Sequence, residues 1–226
     1  MHLAGEKTKP YIEVLGMVIR TQPVGEYDRR VVLLTREMGR ISAFAKSARR
    51  PNSALVAAAN LFCFGTFRMY AGRDSYTIVE ATIQNFFPFF RTHVEEALYG
   101  EYFCEVAEDI TRENNDEAML LLLLYQSLRA LEAGRIPARL VRSIFEIKCI
   151  VVEGEFPGIP ARNPYPPAVT HALQVIERAP VAGLYTFTLD EPYRNELAGI
   201  ADHLMDRTFH LHFKSLDVLE TMTGGS

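Results

Sequence analysis

Lys46, Arg49 and Arg50 place three cations in five residues, at and just beyond the end of the run Arg40 to Lys46. Side chains alternate faces along a strand, so Ile41, Ala43 and Ala45 fall on one face and Arg40, Ser42, Phe44 and Lys46 on the other. The first face is core-like. The second interleaves cations with an aromatic, which suits a single-stranded nucleic acid: the ring stacks on a base at about 1–3 kcal/mol while Lys and Arg neutralise phosphates. Pro51 restrains Arg50 to extended backbone and so directs the arginines outward. Arg29, Arg30 and Arg36 lie in the preceding strand and turn, and Arg68 with Tyr70 repeats the pattern more weakly further on. A loop with three charges is also a common solvated connector; its continuity with the strand face is what points to phosphate.

Other candidate chemistry is sparse. No G-x-x-x-x-G-K-[ST], G-x-G-x-x-G, G-x-S-x-G or H-E-x-x-H occurs, so no recognisable nucleotide, hydrolase or zincin site is present. On a helix His210 and His212 project about 200° apart and cannot share an ion, and His203 lies two turns from His210. The carboxylates from Glu101 to Asp109, like Glu95 and Glu96, sit at helical spacing and read as a wet face. Cys63, Cys104 and Cys149 lie 41 and 45 positions apart and match no metal spacing, so they read as reduced and mostly buried. One helical pattern stands out. From Pro137 to Val152, Leu140, Ile144, Ile147 and Val151 form an apolar stripe, with Arg139, Arg142 and Glu146 opposite and Arg135 just before. That row is either paired internally with acidic surface or forms a cationic rim for an acidic, aromatic-containing peptide tail.

The elements that must position these residues fall into two kinds. Five β-branched or aromatic runs, Ile12 to Thr21, Arg29 to Arg36, Arg40 to Lys46, Leu61 to Tyr70 and Ser75 to Ile83, are separated by turn signals. An alanine-rich piece, Ser53 to Asn60, gives a short helix between the third and fourth. Five strands with that insertion have the layout of an OB-fold barrel. After Asn85 to Phe90, a phenylalanine cluster read as packing at a domain boundary, the period becomes helical. Helices are expected at His93 to Arg112, Asp116 to Ala133, Pro137 to Val152, Pro167 to Arg178 and Glu191 to Phe213. The expected class is therefore α+β: an N-terminal five-stranded OB-fold β-barrel over 1–83 and an all-helical C-terminal domain over 84–226.

Composition agrees with two ordinary globular domains: 226 residues, 48% apolar and 23% charged. Charge is uneven along the chain. Residues 1–82 hold 12 Lys and Arg against 7 Asp and Glu, +5, while 83–226 hold 12 against 21, −9. A basic first part attached to an acidic second part points to a polyanion partner for the first. The first ten residues lack the apolar core of a secretory signal, and the longest aliphatic run, Leu120 to Leu124, falls far short of the roughly 20 residues that span a bilayer. A cytoplasmic protein with no membrane association is expected.

Gly25 to Ser53 (GEYDRRVVLLTREMGRISAFAKSARRPNS), Phe145 to Gly158 (FEIKCIVVEGEFPG) and His212 to Glu220 (HFKSLDVLE) together resemble the bacterial recombination mediator family RecO. The likeness runs from about Tyr11 to Glu220. It implies an OB-fold, a helical C-terminal domain and no catalytic residues or cofactor. It also implies binding to single- and double-stranded DNA, strand annealing, and action with RecR that lets RecA replace single-stranded DNA-binding protein (SSB) on gapped DNA. Such a protein associates with the nucleoid when acting on DNA. Joined to the strand pattern, the resemblance makes Arg29, Arg36, Arg40, Phe44, Lys46, Arg49, Arg50 and Arg68 the candidate DNA contacts. Recognition of the acidic SSB tail by the helical domain would suit Arg139 and Arg142. Many relatives carry a four-cysteine zinc module after the segment matching GEFPG; Phe156 to Leu173 has no cysteine, so no structural zinc is expected. Ser47 stands where a glycine is usual. The competing functional class is a protein-interaction adaptor whose barrel binds a partner; a hydrolase or transferase would need convergent polar residues that no motif supplies.

Overall fold

Strand β1 (Tyr11–Val24) is fourteen residues long because it serves two neighbours: Tyr11 to Met17 pair with β4 (Phe64–Ala71) and Gly16 to Val24 pair with β2 (Asp28–Thr35). A register shift between Val18 and Arg20 bends the strand between these two partners. Gly16 sits at the handover, where a Cβ would lie 2.7 Å from the Leu34 carbonyl oxygen. The computed structural model describes residues 11–72, 75–162, 164–209 and 213–223. Strands β3 (Gly39–Ala45) and β5 (Tyr76–Asn85) complete a closed barrel in the order β1-β2-β3-β5-β4, with β3 and β5 parallel and the other pairs antiparallel. This is the five-stranded OB-fold arrangement. Val14, Val18, Val31, Leu33, Ile41, Ala43, Ala45, Phe67, Met69 and Ile78 fill its interior, and Leu55 and Ala59 join them from the short helix α1 (Leu55–Ala58) and its end. The Ser53 hydroxyl accepts the Leu55 N–H at the start of that helix.

The chain divides into two compact units: residues up to Phe87 together with Thr111–Glu117, and the remainder. Segment Thr111–Glu117 returns to the barrel as a strap. The N–H of Arg40 donates to the Arg112 carbonyl at 3.0 Å, that of Asn114 to Met38 at 3.0 Å, and the Tyr76 hydroxyl to Glu113 at 3.3 Å. Gly39 permits this approach, because its φ is +63° and a Cβ would sit 2.1 Å from the Arg112 carbonyl oxygen. With the strap, the barrel unit holds 13 Lys and Arg against 10 Asp and Glu, +3.

The second unit is helical: α2 (Val94–Ile110), α3 (Ala118–Ala133), α4 (Ala138–Val152), α5 (Pro167–Arg178), α6 (Glu191–Phe209) and α7 (Lys214–Thr223), with 3₁₀ turns at Pro88–Arg91 and Val181–Thr186. The expected last helix, Glu191 to Phe213, is corrected: α6 stops at Phe209 and α7 is separate. No Gly or Pro marks the break. Instead Phe213 is buried edge-on against Tyr102 at 5.3 Å, and the Ser215 N–H and hydroxyl both donate to Glu105 Oε2, which sets a carboxylate at the positive start of α7. His210 and His212 lie outside the described residues, as do the first ten residues and the terminal Gly224 to Ser226. Among the described residues no helix is long and apolar enough to cross a membrane.

Candidate nucleic-acid interface

Strand β3 is buried and half-buried in strict alternation, with Ile41, Ala43 and Ala45 inward and Arg40, Ser42 and Phe44 outward. Across the ladder Phe44 pairs with Arg30, Ser42 with Val32 and Arg40 with Leu34. The Arg30 Nε donates to the Ser42 hydroxyl at 2.7 Å, which lays that guanidinium over the outer face beside Phe44. Val32 and Leu34 are themselves buried at 6% and 0% exposure, so the open part of the outer face is its Arg30–Phe44 end.

Beyond that end, Lys46, Arg49 and Arg50 are exposed on a loop tied to the β1–β2 turn. The Arg49 N–H donates to the Tyr27 carbonyl at 2.9 Å, its Nη1 to the Gly25 carbonyl at 3.1 Å, and the Ser47 N–H to Asp28 Oδ1 at 2.7 Å. Ser47 takes φ +58°, a left-handed turn that redirects the chain there. The Arg50 guanidinium lies over the Tyr27 ring, 4.3 Å from its centroid. Glu26, through a side-chain hydrogen bond, raises the pKa of the Tyr27 phenol, which is neutral at physiological pH. Tyr27 escaped the sequence reading because its turn was taken only as a separator; an aromatic in the β1–β2 turn of a barrel was the available signal.

The other expected contacts lie elsewhere. Arg36 is in the β2–β3 turn and pairs with Glu37 at 2.7 Å; with Arg40 it occupies the opposite end of β3, about 20 Å from Lys46 at strand rise. Arg29 alternates to the side away from Phe44, and its Nη1 donates to Asn60 Oδ1 at 3.0 Å and to the Ala59 carbonyl at 3.3 Å. Its neighbour Arg30 holds the outward place. Arg68 is exposed but stands in a cross-strand row between Glu13 and Glu80, 3.5 Å from Glu80 Oε2 and over the Tyr11 ring. Carboxylates on both sides cancel its charge locally.

In the helical unit, α4 is buried on both sides rather than offering an open arginine row. Glu146 is fully buried; its Oε1 accepts from the Tyr102 hydroxyl at 2.6 Å and from Arg142 Nε at 2.8 Å. Burial pushes the Glu146 carboxyl up and outweighs the opposing pull of Arg142 and Tyr102. Arg142, 13% exposed at its side chain, also binds Asp202, which joins α4 to α6. Arg139 is exposed and donates to Asn195 Oδ1 at 3.0 Å. Two residues further along α4 than Glu146, Lys148 is 5% exposed and its Nζ donates to the carbonyls of Ile176, Glu177 and Ala179 at 2.9, 3.1 and 2.9 Å. It thereby satisfies the unpaired carbonyls at the end of α5. The three cysteines are free and buried, and burial pushes the Cys104 and Cys149 thiols up. Among the described residues no group of three His, Cys, Asp or Glu side chains is placed to hold a metal ion. A groove of about 610 Å³ is lined by Phe156 and Tyr165 from the segment before α5, Leu173 of α5, and Ile200, His203 and Arg207 of α6.

Comparison with known proteins is consistent along the chain. Residues 11–87 match the family model described as Recombination protein O N terminal, and residues 91–159 that described as Recombination protein O C terminal. A protein of Acetivibrio thermocellus named DNA repair protein RecO is 26% identical over 94% of this chain and 97% of its own length. The same name belongs to a Bacillus pumilus protein, 26% identical over 92% of this chain and 93% of its own. An Alkaliphilus metalliredigens protein, also so named, is 32% identical over 66% of this chain, which spans 60% of that relative.

Proposed function

This chain belongs to the RecO family of DNA repair and recombination proteins, and from that premise we propose that it is a non-enzymatic mediator whose barrel unit binds DNA. The observation that carries the reading is the exposed Lys46, Arg49 and Arg50 loop, knit to the β1–β2 turn and continuous with the Arg30–Phe44 end of the outer face. Its backbone is fixed in advance, so little ordering accompanies phosphate binding. Within this proposal Phe44, Lys46, Arg49 and Arg50 make the main contacts. Arg36 and Arg40 form a secondary, separated cluster, Arg29 acts by bracing the barrel, and Arg68 contributes least. Binding of single and double strands, annealing, and exchange of SSB for RecA with RecR belong to the same proposal, with the helical unit as the partner domain. There Arg139 is the accessible member of the Arg139 and Arg142 pair.

The test is a titration of labelled single-stranded DNA at two salt concentrations with wild type and an Arg49→Ala/Arg50→Ala double mutant. The mutant is expected to bind more weakly and to lose about one to two units of salt slope. Unchanged affinity and slope would sink the assignment. The adaptor reading predicts negligible DNA affinity in wild type at moderate salt, and the same titration separates the two.

A further inference from the structure

Tyr27 is 40% exposed even though a guanidinium covers one face of its ring. Part of the ring therefore stays open to solvent beside the covered face. The ring is held in place by its surroundings: Arg50 stacks on it at 4.3 Å, the Arg49 N–H binds its carbonyl, and Arg49 Nη1 binds Gly25 two residues earlier. The exposed cations Lys46 and Arg49 are on the same loop that grips this turn. A partly exposed aromatic ring, backed by a cation and set beside exposed cations, is an arrangement that can accept an unpaired base, since every base has a π face and stacking on an aromatic is tolerant of sequence.

We propose that Tyr27 is a base-stacking residue sandwiched between Arg50 and an unpaired nucleobase, and that it makes this end of the barrel favour single-stranded over double-stranded DNA. The inference rests on the DNA-binding reading above. Phosphate contacts from Lys46 and Arg49 serve either form of DNA, because both present phosphates. Only a strand with unstacked bases offers a face to Tyr27; in a duplex the faces are covered by neighbouring pairs. Selectivity thus comes from the ring and affinity mainly from the loop.

The full-length chain and its Tyr27→Ala, Tyr27→Phe and Lys46→Ala variants would be titrated with three probes of equal length. These are a single strand, a strand of abasic sites, and a duplex closed by hairpins at both ends so that no terminal base face is free. Tyr27→Ala is expected to weaken single-strand binding about five- to a hundredfold, the range for loss of one base–aromatic stack, with the duplex and the abasic strand unaffected. Tyr27→Phe keeps the ring and retains wild-type binding to all three. Lys46→Ala weakens all three alike. Equal loss in Tyr27→Ala on all three probes, or no loss on the single strand, overturns the stacking role while the Lys46→Ala result still supports the DNA-binding reading. Absence of wild-type binding to any probe overturns both.

Discussion

Lys148 and Arg142 in the helical unit and Lys46, Arg49 and Arg50 in the barrel unit are the same residue types in opposite situations. The helical pair is buried: Lys148 is consumed by three carbonyls and Arg142 by two carboxylates. The barrel trio is exposed, its backbone tied down while Lys46 and Arg50 extend toward solvent and Arg50 rests on an exposed ring. Cations of the first kind hold a fold together; those of the second kind are available to a partner. The difference lies in what surrounds each nitrogen, so a count of charges along the chain cannot distinguish them. The net −9 after residue 82 hides two buried cations, and the net +5 before it includes Arg29, Arg36 and Arg68, which are engaged with acceptors inside the barrel unit.

The most severe way to break the comparison is Arg142→Ala. It leaves Glu146 buried without its charge partner, which costs about 3–5 kcal/mol, and thermal unfolding should show a correspondingly large loss of stability. Binding to single-stranded DNA by the folded fraction should be unchanged; a loss there would mean that Arg142 is not purely structural. Lys148→Met comes next. It orphans the carbonyls of Ile176, Glu177 and Ala179, worth about 2 kcal/mol, measurable as a lower denaturation midpoint with an unaltered denaturant slope.

On the barrel side the order of effects reverses between stability and binding. Arg50→Ala should leave the unfolding midpoint within about 0.5 kcal/mol of wild type, as an exposed substitution does, yet weaken DNA binding several-fold. Arg36→Ala and Arg68→Ala, each beside a carboxylate, should weaken it less than Arg50→Ala under the same salt. A larger effect from Arg36 than from Arg50 would move the interface to the β2–β3 end of the barrel.

The smallest effect concerns pH. Because burial raises the Glu146 pKa in the folded state above its unfolded value, the folded chain holds this proton more tightly. Its contribution to stability is fully present below the unfolded value and is lost as pH rises through the folded one. Comparing wild type with Glu146→Gln across mildly acidic pH, the stability difference should shift toward wild type as pH falls. A flat difference would show that Arg142 and Tyr102 offset the burial completely.

Strand alternation made much of the barrel legible. The inward set Ile41, Ala43 and Ala45 and the outward set Arg40, Ser42 and Phe44 follow from a period of two, and helix α5 occupies the expected span Pro167–Arg178. On α4 the same periodicity left two possibilities open, since a polar side opposite an apolar stripe can either pair internally or face a partner. Glu146, Arg142 and Lys148 are buried there because neighbouring helices supply a tyrosine, a carboxylate and three carbonyls from 44, 60 and about 30 residues away. The start of α7 was hidden for the same reason: Glu105, 110 residues earlier, sets it.

Residue order alone determined the two-part architecture, the inward and outward faces of the barrel strands and the exposed basic loop, because these depend on local periodicity and turn chemistry. Only the tertiary structure decided which cations remain available. It turned Arg29 toward Asn60, set Arg36 and Arg40 at the far end of β3, enclosed Arg142 with Glu146, and brought Tyr27 under Arg50 from 23 positions earlier in the chain. Whether a charge binds a partner or supports the fold depends on which acceptors lie within hydrogen-bond reach, and for these residues most acceptors come from distant parts of the sequence.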